Sequence, residues 1–236
     1  MSDRYFVESP LTADRAVLAG PEAHHLIHVM RAKPGGHVTL FDGSGWQFDA
    51  VIQRVGRSEV ELTVLARAEI DRELAVELSL AVALPKGDRQ KWLVEKAVEL
   101  GVTRLVPLET ARGVAQPEEK ALHRLRRGVI EASKQCGRNR LMAIAEPERW
   151  ADFVARTADV PCRLLAHPGR EATARQGLFP PIGDRVAMAI GPEGGFSEDE
   201  VALAVHAGWQ RIELGPRILR VETAAVLLAA MVGVCS

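Results

Sequence analysis

The chain has 236 residues, of which 47% are hydrophobic and 26% are charged, enough for the core of one large or two modest globular domains. Its formal net charge of -1 excludes a protein that is drawn to nucleic acid by its overall charge, so any RNA binding must come from local basic patches. The three cysteines lack the spacing of a disulfide framework or a metal site, and no apolar run reaches the roughly 20 residues of a membrane span. We therefore expect a soluble, cytoplasmic protein.

The first part of the chain, up to about residue 70, has the pattern of a small β module. Strands are indicated at residues 37–41, 47–53 and 59–65, and the last two alternate apolar and polar side chains. A short helical stretch at 22–31 precedes them, and the polar segment 67–73 marks the expected end of the module. The pattern predicts a small β-barrel or sandwich.

Two histidines of the helical stretch, His24 and His28, are one helical turn apart, a spacing at which histidine pairs bind zinc. No nearby cysteine or second acidic side chain completes a site, so we predict no metal. The alternative is a surface helix that offers Arg31 and Lys33 to RNA, and the charges of the segment favour it.

From about residue 74 the pattern changes to apolar strands that alternate with helices. Continuous apolar strands between helices are typical of a mostly parallel sheet that is covered on both faces. The sequence therefore predicts a small β domain followed by a larger α/β domain. Strands of the larger domain are expected at residues 76–84, 104–108, 162–166, 186–190 and 211–214.

A long helix is predicted between Pro117, which suits a first turn, and Gly137, which suits a C-terminal cap. One of its faces is apolar, and another carries charged side chains three and four residues apart. This basic face is either solvated or binds the phosphates of a nucleic acid, which require clustered arginine and lysine. Its members are Arg124, Arg127, Glu131, Lys134 and Arg138, and Lys86 is a further cation at the end of a predicted strand.

A strand, a glycine-rich turn and the start of a helix follow one another at residues 189–200, where Ser197 and Glu200 have capping-box spacing. The glycines serve either a structural turn or a ligand that approaches the backbone closely. The turn has no lysine and carries Glu193 before the three acids at 198–200, which disfavours a phosphate-bearing ligand such as NAD. A nucleoside without phosphate and with a cationic sulfonium fits these charges better.

A second turn between a strand and a helix begins at Gly215 and Pro216. Glu222 starts the helix, where a carboxylate is favourable, and two exposed arginines, Arg217 and Arg220, are expected before it. The turn is either a solvated basic loop or part of a site. Two such turns after strands of one sheet are explained together by a binding crevice at the carboxyl edge of the sheet.

Five segments together resemble the signatures of the RsmE family of 16S rRNA (uracil-N3)-methyltransferases, which belongs to the SPOUT superfamily. Each is weak alone, but the five follow one another in order over nearly the whole chain. The one departure is Val221, where the family pattern has threonine. The segments are His24-His25-Leu26 with Val29-Met30-Arg31; Lys91 with Glu95-Lys96-Ala97 and Glu99-Leu100-Gly101-Val102; Arg127 with Glu131-Ala132, Gln135 and Arg138; Ile190-Gly-Pro-Glu-Gly-Gly-Phe196; and Leu214-Gly-Pro-Arg-Ile-Leu-Arg-Val-Glu-Thr-Ala224.

The resemblance implies an RNA-binding, PUA-like β-barrel at residues 1–73 and a SPOUT methyltransferase domain at 74–236 with a deep C-terminal trefoil knot. It also implies a homodimer, S-adenosyl-L-methionine as the cofactor, and 16S rRNA of the small ribosomal subunit as the substrate. The expected reaction methylates N3 of a decoding-region uridine, giving 3-methyluridine.

The resemblance assigns three segments to the cofactor, and the basic residues named above are the expected RNA contacts. Arg220 is the expected stabiliser of negative charge on the base, and Glu222 is either the proton acceptor or a helix cap. The expected RNA contacts are His25, Arg31, Lys33, Lys86, Arg124, Arg127, Lys134 and Arg138. The expected cofactor contacts are Leu165, Ala166, His167 and Pro168; Ile190, Gly191, Pro192, Glu193, Gly194 and Gly195; and Leu214, Gly215, Ile218, Leu219, Arg220, Glu222, Thr223 and Ala224.

Two other functions stay open at this point. One is a related SPOUT methyltransferase that acts on another RNA or on a ribose 2′-oxygen; the N-terminal β module and the full set of signatures favour the ribosomal substrate. The other is an RNA-binding assembly factor without catalysis, against which the intact glycine turn and the segment from Arg220 to Thr223 argue.

Overall fold

The structure is a computed structural model, and it describes residues 4–113, 119–168 and 183–235. Within these ranges no helix is both long and apolar enough to cross a membrane. The strands are β1 (Arg4–Phe6), β2 (Arg15–Leu18), β3 (His37–Phe41), β4 (Trp46–Val55), β5 (Val60–Glu69), β6 (Glu77–Val82), β7 (Arg104–Glu109), β8 (Ala143–Ile144), β9 (Glu148–Arg149), β10 (Cys162–Ala166), β11 (Arg185–Ile190) and β12 (Gln210–Ile212). The α-helices are α1 (Gly20–His24), α2 (Arg89–Glu99), α3 (Glu119–Cys136), α4 (Trp150–Arg156), α5 (Glu198–His206) and α6 (Val221–Cys235).

The chain forms two compact units. The first comprises Met1–Glu73 together with Ile130–Leu141, and the second comprises Leu74–Val129 together with Met142–Ser236. The last residues of α3 thus belong to the first unit, although they follow the first part of the second unit in sequence.

The first unit is built on a five-stranded sheet with the order β1-β3-β4-β5-β2. β1 pairs with β3 in parallel and the other pairs are antiparallel, so the sheet is a half-barrel with two edges rather than a closed barrel. The alternation of β4 and β5 buries one face, whose core includes Leu40, Ile52 and Leu62. The three strands expected here are confirmed, whereas the short edge strands β1 and β2 escaped the sequence analysis because four residues or fewer show no clear period.

The helical stretch of the first unit begins two residues earlier and is less regular than the sequence suggests. α1 continues into a π-helical turn at His25–Val29, a form that is common at functional positions. Arg31 follows with φ of 51°, the one left-handed residue other than glycine among the described residues. A non-glycine side chain in this region is strained, which marks the turn as a candidate for function.

The second unit is built on a parallel sheet with the order β12-β10-β11-β6-β7-β8, and β9 pairs with the end of β7. Every recorded pair is parallel, as predicted. In β11 the consecutive residues 186–190 are all buried, so helices and loops cover both faces of the sheet. One side of the core is aromatic, with Trp150 packed against Phe153, Phe196 and Trp209.

Glycines end two of the helices. Gly101 follows the C-cap of α2 with φ of 81°, and Gly137 follows α3 directly with φ of 84°, as predicted for the C-terminal cap of α3. Pro117, the expected start of α3, lies outside the described residues. The short helix α4 was not predicted, since its seven residues span only two turns.

Candidate functional site

Three loops leave the parallel sheet at the same level. Ala166, the last residue of β10, lies opposite Ile190 of β11 on one side and Ile212 of β12 on the other. Ile190 in turn lies opposite Val82 of β6. The strands are parallel, so their carboxyl ends form one edge, and the backbone N–H of His167 donates to the carbonyl of Ile212 at 3.1 Å just beyond it. The three segments expected to hold a cofactor are therefore neighbours at the edge where ligands of parallel α/β sheets bind.

The glycine turn after β11 is fixed by its own side chains. A Cβ on Gly191 would lie 2.9 Å from the ring of Phe196, which is buried, so this position accepts only glycine without rearrangement. Ser197 and Glu200 form the predicted capping box: the backbone N–H of Glu200 donates to Ser197 Oγ at 3.2 Å, and that of Ser197 to Glu200 Oε2 at 2.8 Å. The turn is thus rigid before any ligand binds.

The loop after β7 holds the glycine turn from a second side. The backbone N–H of Ala111 donates to Glu200 Oε1 at 2.7 Å, and Arg112 Nη1 donates to the carbonyl of Gly194 at 2.9 Å. Arg112 was not predicted as a site residue, because nothing in the sequence shows that the loops after β7 and β11 lie at one edge. The order of strands in the sheet reveals this contact.

Arg89, the first residue of α2, joins two of the expected site residues. Its Nη2 lies 3.2 Å from Oε1 of Glu193 in the glycine turn, and its Nη1 lies 3.5 Å from Oε2 of Glu222 in the first turn of α6. Glu222 is buried, with 6% of its surface exposed. Arg89 was not among the residues predicted from the sequence, and a cation at the start of a helix is the signal that identifies it.

The turn before α6 is open to solvent. Arg217 and Arg220 are exposed, as predicted, and Ile218 is 97% exposed. The backbone N–H of Ala224 donates to the carbonyl of Arg220 at 2.9 Å, which makes Arg220 the residue that precedes the first turn of the helix. Val221, the departure from the family pattern, is buried at 3% exposure, where its apolar side chain is well suited.

The remaining residues expected at the cofactor differ in exposure. His167 is half-buried and Pro168 is exposed, while Leu165, Ile190, Gly191 and Pro192 are buried. Burial, and to a smaller extent the positive charges of Arg211 and Arg112, lower the pKa of His167. The imidazole is therefore kept neutral, and its Nδ1 is a buried atom without a hydrogen bond.

The residues expected to contact RNA fall into two groups. Arg31, Lys33, Lys86, Arg124 and Arg127 are exposed. The other three are engaged within the first unit. Lys134 Nζ lies 2.9 Å from Oε1 of Glu22, Arg138 is 3% exposed and bonded to both oxygens of Glu73, and the half-buried ring of His25 lies 6.0 Å from that of Tyr5.

The histidine pair of the first unit has its ring centroids 4.6 Å apart, between His24 and His28. Among the described residues no group of three or more histidine, cysteine or acidic side chains is placed to hold a metal ion.

Two family models match the chain. Residues 72–233, well over half of it, match an RNA methyltransferase domain, and residues 18–65 match an RNA methyltransferase PUA domain. Together with the parallel sheet and its three loops, these matches define the class as an RNA methyltransferase with an N-terminal PUA domain.

Similar proteins identify the family within this class. The ribosomal RNA small subunit methyltransferase E of Mycobacterium bovis is 32% identical over 98% of this chain and 90% of its own length, and that of Bacillus subtilis is 29% identical over 94% and 92%. The enzyme of the same name from Neisseria gonorrhoeae, solved with S-adenosylmethionine, superposes with a TM-score of 0.89 at 27% identity, covering 100% of this chain and 98% of that one. The chain belongs to the ribosomal RNA small subunit methyltransferase E family.

A second solved structure agrees with this assignment. A Legionella pneumophila protein in complex with bound S-adenosylmethionine superposes with a TM-score of 0.91 at 32% identity, over 100% of this chain and 98% of that one. The family resemblance and the fold class of a PUA-like domain followed by a SPOUT α/β domain are thereby confirmed.

Proposed function

We propose that the protein transfers the methyl group of S-adenosyl-L-methionine to N3 of a decoding-region uridine in 16S rRNA, on the small ribosomal subunit. The observation that carries this proposal is the juxtaposition of three loops, after β10, β11 and β12, at one edge of the sheet in a chain of this family. Since small subunits are cytoplasmic, we propose the same location for the protein, which fractionation alongside ribosomes would check.

The residues at this edge fit the proposed cofactor. Gly195 and Gly215 have φ of 69° and 92°, and a Cβ built on either would meet no atom within 4 Å, so a ligand has room to approach both backbones. Glu193 and Glu222 offer negative charge to a cationic sulfonium, and the segment has none of the lysines that phosphates require. Bound there, S-adenosylmethionine supplies an electrophilic methyl group.

The residues that the family resemblance assigns in three segments are the proposed cofactor contacts. They are residues 165–168, residues 190–195, and Leu214, Gly215, Ile218, Leu219, Arg220, Glu222, Thr223 and Ala224. The rigid glycine turn fixes one wall before binding, which lowers the entropic cost of aligning the methyl group with its acceptor. The neutral ring of His167 avoids repulsion with the positive sulfonium.

Two side chains carry the proposed chemistry. Methylation would form a bond between N3 and the methyl carbon and break the bond from that carbon to the sulfonium sulfur, which would leave as a neutral thioether. It would also break the bond between N3 and its hydrogen, so the proton needs an acceptor. Oε2 of Glu222 is a buried acceptor without a hydrogen bond, and we assign it this proton. Arg220 is exposed beside the same helix start and is assigned to the uracil carbonyl oxygen, where negative charge develops as the proton leaves.

The exposed cations are the proposed contacts to the RNA backbone: Arg31 and Lys33 on the first unit, and Lys86, Arg124 and Arg127 on the second. The target base must leave its stack to expose N3, as is usual for chemistry on a base. Lys134 and Arg138 are not included, because their charges are engaged with carboxylates inside the protein.

A homodimer is proposed from the surface of α6. Side chains at 3–4 spacing form an apolar stripe that is partly or fully exposed, with Leu227 at 37% and Val234 at 87%. A second copy of the chain is the occupant that the family resemblance implies. Light scattering should give twice the chain mass, and Leu227→Glu should shift it towards the monomer. Leu203→Glu, a leucine of similar exposure on α5, is the matched control, and equal masses for all three proteins would contradict the proposal.

We also propose the C-terminal trefoil knot that the resemblance implies. Residues 169–182, between β10 and β11, lie outside the described residues. A crystal structure that traces this segment tests the knot, and an unknotted path through it would overturn the proposal.

The reaction is tested with purified protein, labelled S-adenosylmethionine and small subunits from cells that lack the modification, followed by nucleoside analysis. Label in 3-methyluridine of 16S rRNA is the expected result, and fully methylated subunits should accept none. Label in another nucleoside would support methyltransferase activity but assign it a different target nucleotide. No transfer to subunits, free rRNA or tRNA, with cofactor binding retained, would favour a non-catalytic RNA-binding role instead.

A further inference from the structure

Arg89 lies close to chain segments that follow three different strands, β6, β11 and β12. It follows the loop that leaves β6, it contacts Glu193 in the turn after β11, and it contacts Glu222 in the helix that follows β12. In the sheet, β6 and β11 are adjacent, whereas β12 lies two strands beyond β11. One guanidinium therefore contacts residues that follow a strand next to β6 and residues that follow a strand three places away from it.

Local helix chemistry does not account for this arginine. The N-terminus of a helix carries partial positive charge, so a cation there is unfavourable, and the first turn of α2 has no acidic residue to offset it. Asp88, which precedes Arg89, makes no capping hydrogen bond through its side chain. The position of Arg89 is thus stabilised by carboxylates from elsewhere in the chain.

The two contacts of Arg89 differ in surroundings. Glu193 has a side chain that is 54% exposed, so that ion pair is screened by water and contributes little. The side chain of Glu222 is 8% exposed, where a charge interacts strongly with its neighbours. The contact with Glu222 is therefore the one with consequences for the site.

The geometry of the inner contact leaves Glu222 incompletely bonded. Nη1 of Arg89 is 3.5 Å from Oε2, beyond the 2.7–3.2 Å of an N–H···O hydrogen bond, and Oε2 has no hydrogen-bond partner although it is buried. Leaving a buried carboxylate oxygen without a hydrogen-bond donor is unfavourable. An N–H group of a bound molecule that donates to Oε2 would remove this unfavourable term.

We propose that Arg89 is a positioning residue: it holds the carboxylate of Glu222 so that Oε2 accepts a hydrogen bond from an N–H group of a bound ligand. The N–H belongs either to an amino group of the cofactor or to N3 of the target base. This inference rests on the proposed function and deepens it, because it assigns a role to a residue outside the three loops.

The test is a double-mutant cycle of Arg89→Gln and Glu222→Gln, read by two measurements. Calorimetry gives the Kd of S-adenosylmethionine without any turnover, and kcat is measured with unmethylated small subunits. Arg89→Gln should lower kcat, raise Kd, or both, by roughly 10- to 100-fold, since misplacing a group by about 1 Å has effects of that size. In the Glu222→Gln background the same change should add less than about twofold, because its target is already absent.

The two measurements distinguish the source of the N–H group. If the cofactor donates it, Kd rises in both single variants; if the base donates it, Kd stays constant and kcat falls. Arg89→Lys should show a smaller change in kcat or Kd than Arg89→Gln. Lysine keeps the positive charge but lacks the two parallel N–H donors of the guanidinium. Arg149→Gln, the same chemical change at an exposed arginine of the second unit, should alter neither quantity.

Equal effects of Arg89→Gln in the presence and absence of the Glu222 carboxylate would overturn the proposal, as would full activity and affinity of Arg89→Gln. If Arg89→Gln does not fold, the same cycle with Arg89→Lys decides by the same criteria. A wild-type protein that binds cofactor but methylates no subunit would contradict the proposed function. The calorimetric cycle then tests Arg89 alone, and a Kd that Arg89→Gln leaves unchanged would overturn this proposal as well.

Discussion

The basic side chains on and just beyond α3 are exposed in the second unit but paired with carboxylates in the first. Arg124 and Arg127 lie in the second unit and are exposed, whereas Lys134 and Arg138 lie in the first unit and pair with Glu22 and Glu73. They follow one another at intervals of three, seven and four residues, so on helical spacing alone all four belong to one stripe. The difference shows that periodicity identifies a helix face but not what packs against it. A cation that has a buried carboxylate partner contributes to stability, and one without is available to a ligand.

The largest expected effect comes from the pair of Arg138, which is buried, and Glu73, which is half-buried. Arg138→Ala leaves the carboxylate of Glu73, whose side chain is 17% exposed, without its bidentate partner. Removing one member of a fully buried pair typically lowers the free energy of unfolding by about 3–5 kcal/mol, and we expect a loss at the lower end of this range because water reaches Glu73. Urea denaturation followed by circular dichroism measures it. Arg127→Ala, at an exposed position, should change the value by less than about 0.5 kcal/mol, and equal losses would remove the distinction between the two groups.

Replacing an arginine at the sheet edge should lower turnover and leave stability nearly unchanged, the opposite of the effect of Arg138→Ala. Arg220→Ala should lower kcat at saturating substrate by roughly 100-fold, the size found when one donor to a developing anion is removed, while leaving stability nearly unchanged. Methyl transfer to small subunits and thermal denaturation measure the two quantities. Arg217, exposed in the same turn, provides the control, and its alanine variant should stay within about threefold of the wild type. Unchanged turnover of Arg220→Ala would remove its assigned electrostatic role.

A smaller effect is expected for the exposed cations of α3. Arg124→Ala with Arg127→Ala should weaken RNA binding and reduce the slope of log affinity against log salt by about 1.5, because each phosphate that the protein no longer neutralises accounts for roughly 0.7–0.9 of the slope. The Kd of S-adenosylmethionine should not change. Filter binding at several salt concentrations measures the slope, with Arg149→Ala as the control for removal of an exposed arginine. A slope equal to that of the wild type would mean that this part of the stripe is only solvated.

The smallest expected effect concerns a neutral base near the cations of the sheet edge. Burial, followed by the charges of Arg211 and Arg112, lowers the pKa of His167 below its usual value. Because the folded state disfavours the protonated ring, the stability from this group is present above the unfolded pKa of about 6.5 and is lost as the pH falls through the lower folded pKa. Proton NMR, with the signal assigned by its disappearance in His167→Asn, should give a lower pKa in the folded protein than in urea. An equal or higher folded value would contradict the assigned surroundings of this ring.

Much of the fold follows from local patterns in the sequence. Continuous apolar runs predicted β6, β7, β10, β11 and β12, since a strand buried on both faces needs no polar side chain, and Gly137 marked the end of α3. The capping box of α5 was also readable, because Ser197 and Glu200 act on backbone groups within the same turn. The short strands β1 and β2 were not, because pairing with distant strands determines them.

The sequence by itself determined the two glycine turns, the acidic character of the first, the exposed arginines of the second and the family that these features resemble. The tertiary structure alone decided which charges meet. Arg89 lies 104 residues from Glu193 and pairs with it, and the buried Arg138 lies 65 residues from Glu73 and pairs with it. Ion pairs of this kind depend on the order of strands and on burial, which changes the strength of a charge interaction severalfold. Residue type and spacing show which charges are present. Only the tertiary structure shows which of these charges are paired within the protein and which are available to RNA and cofactor.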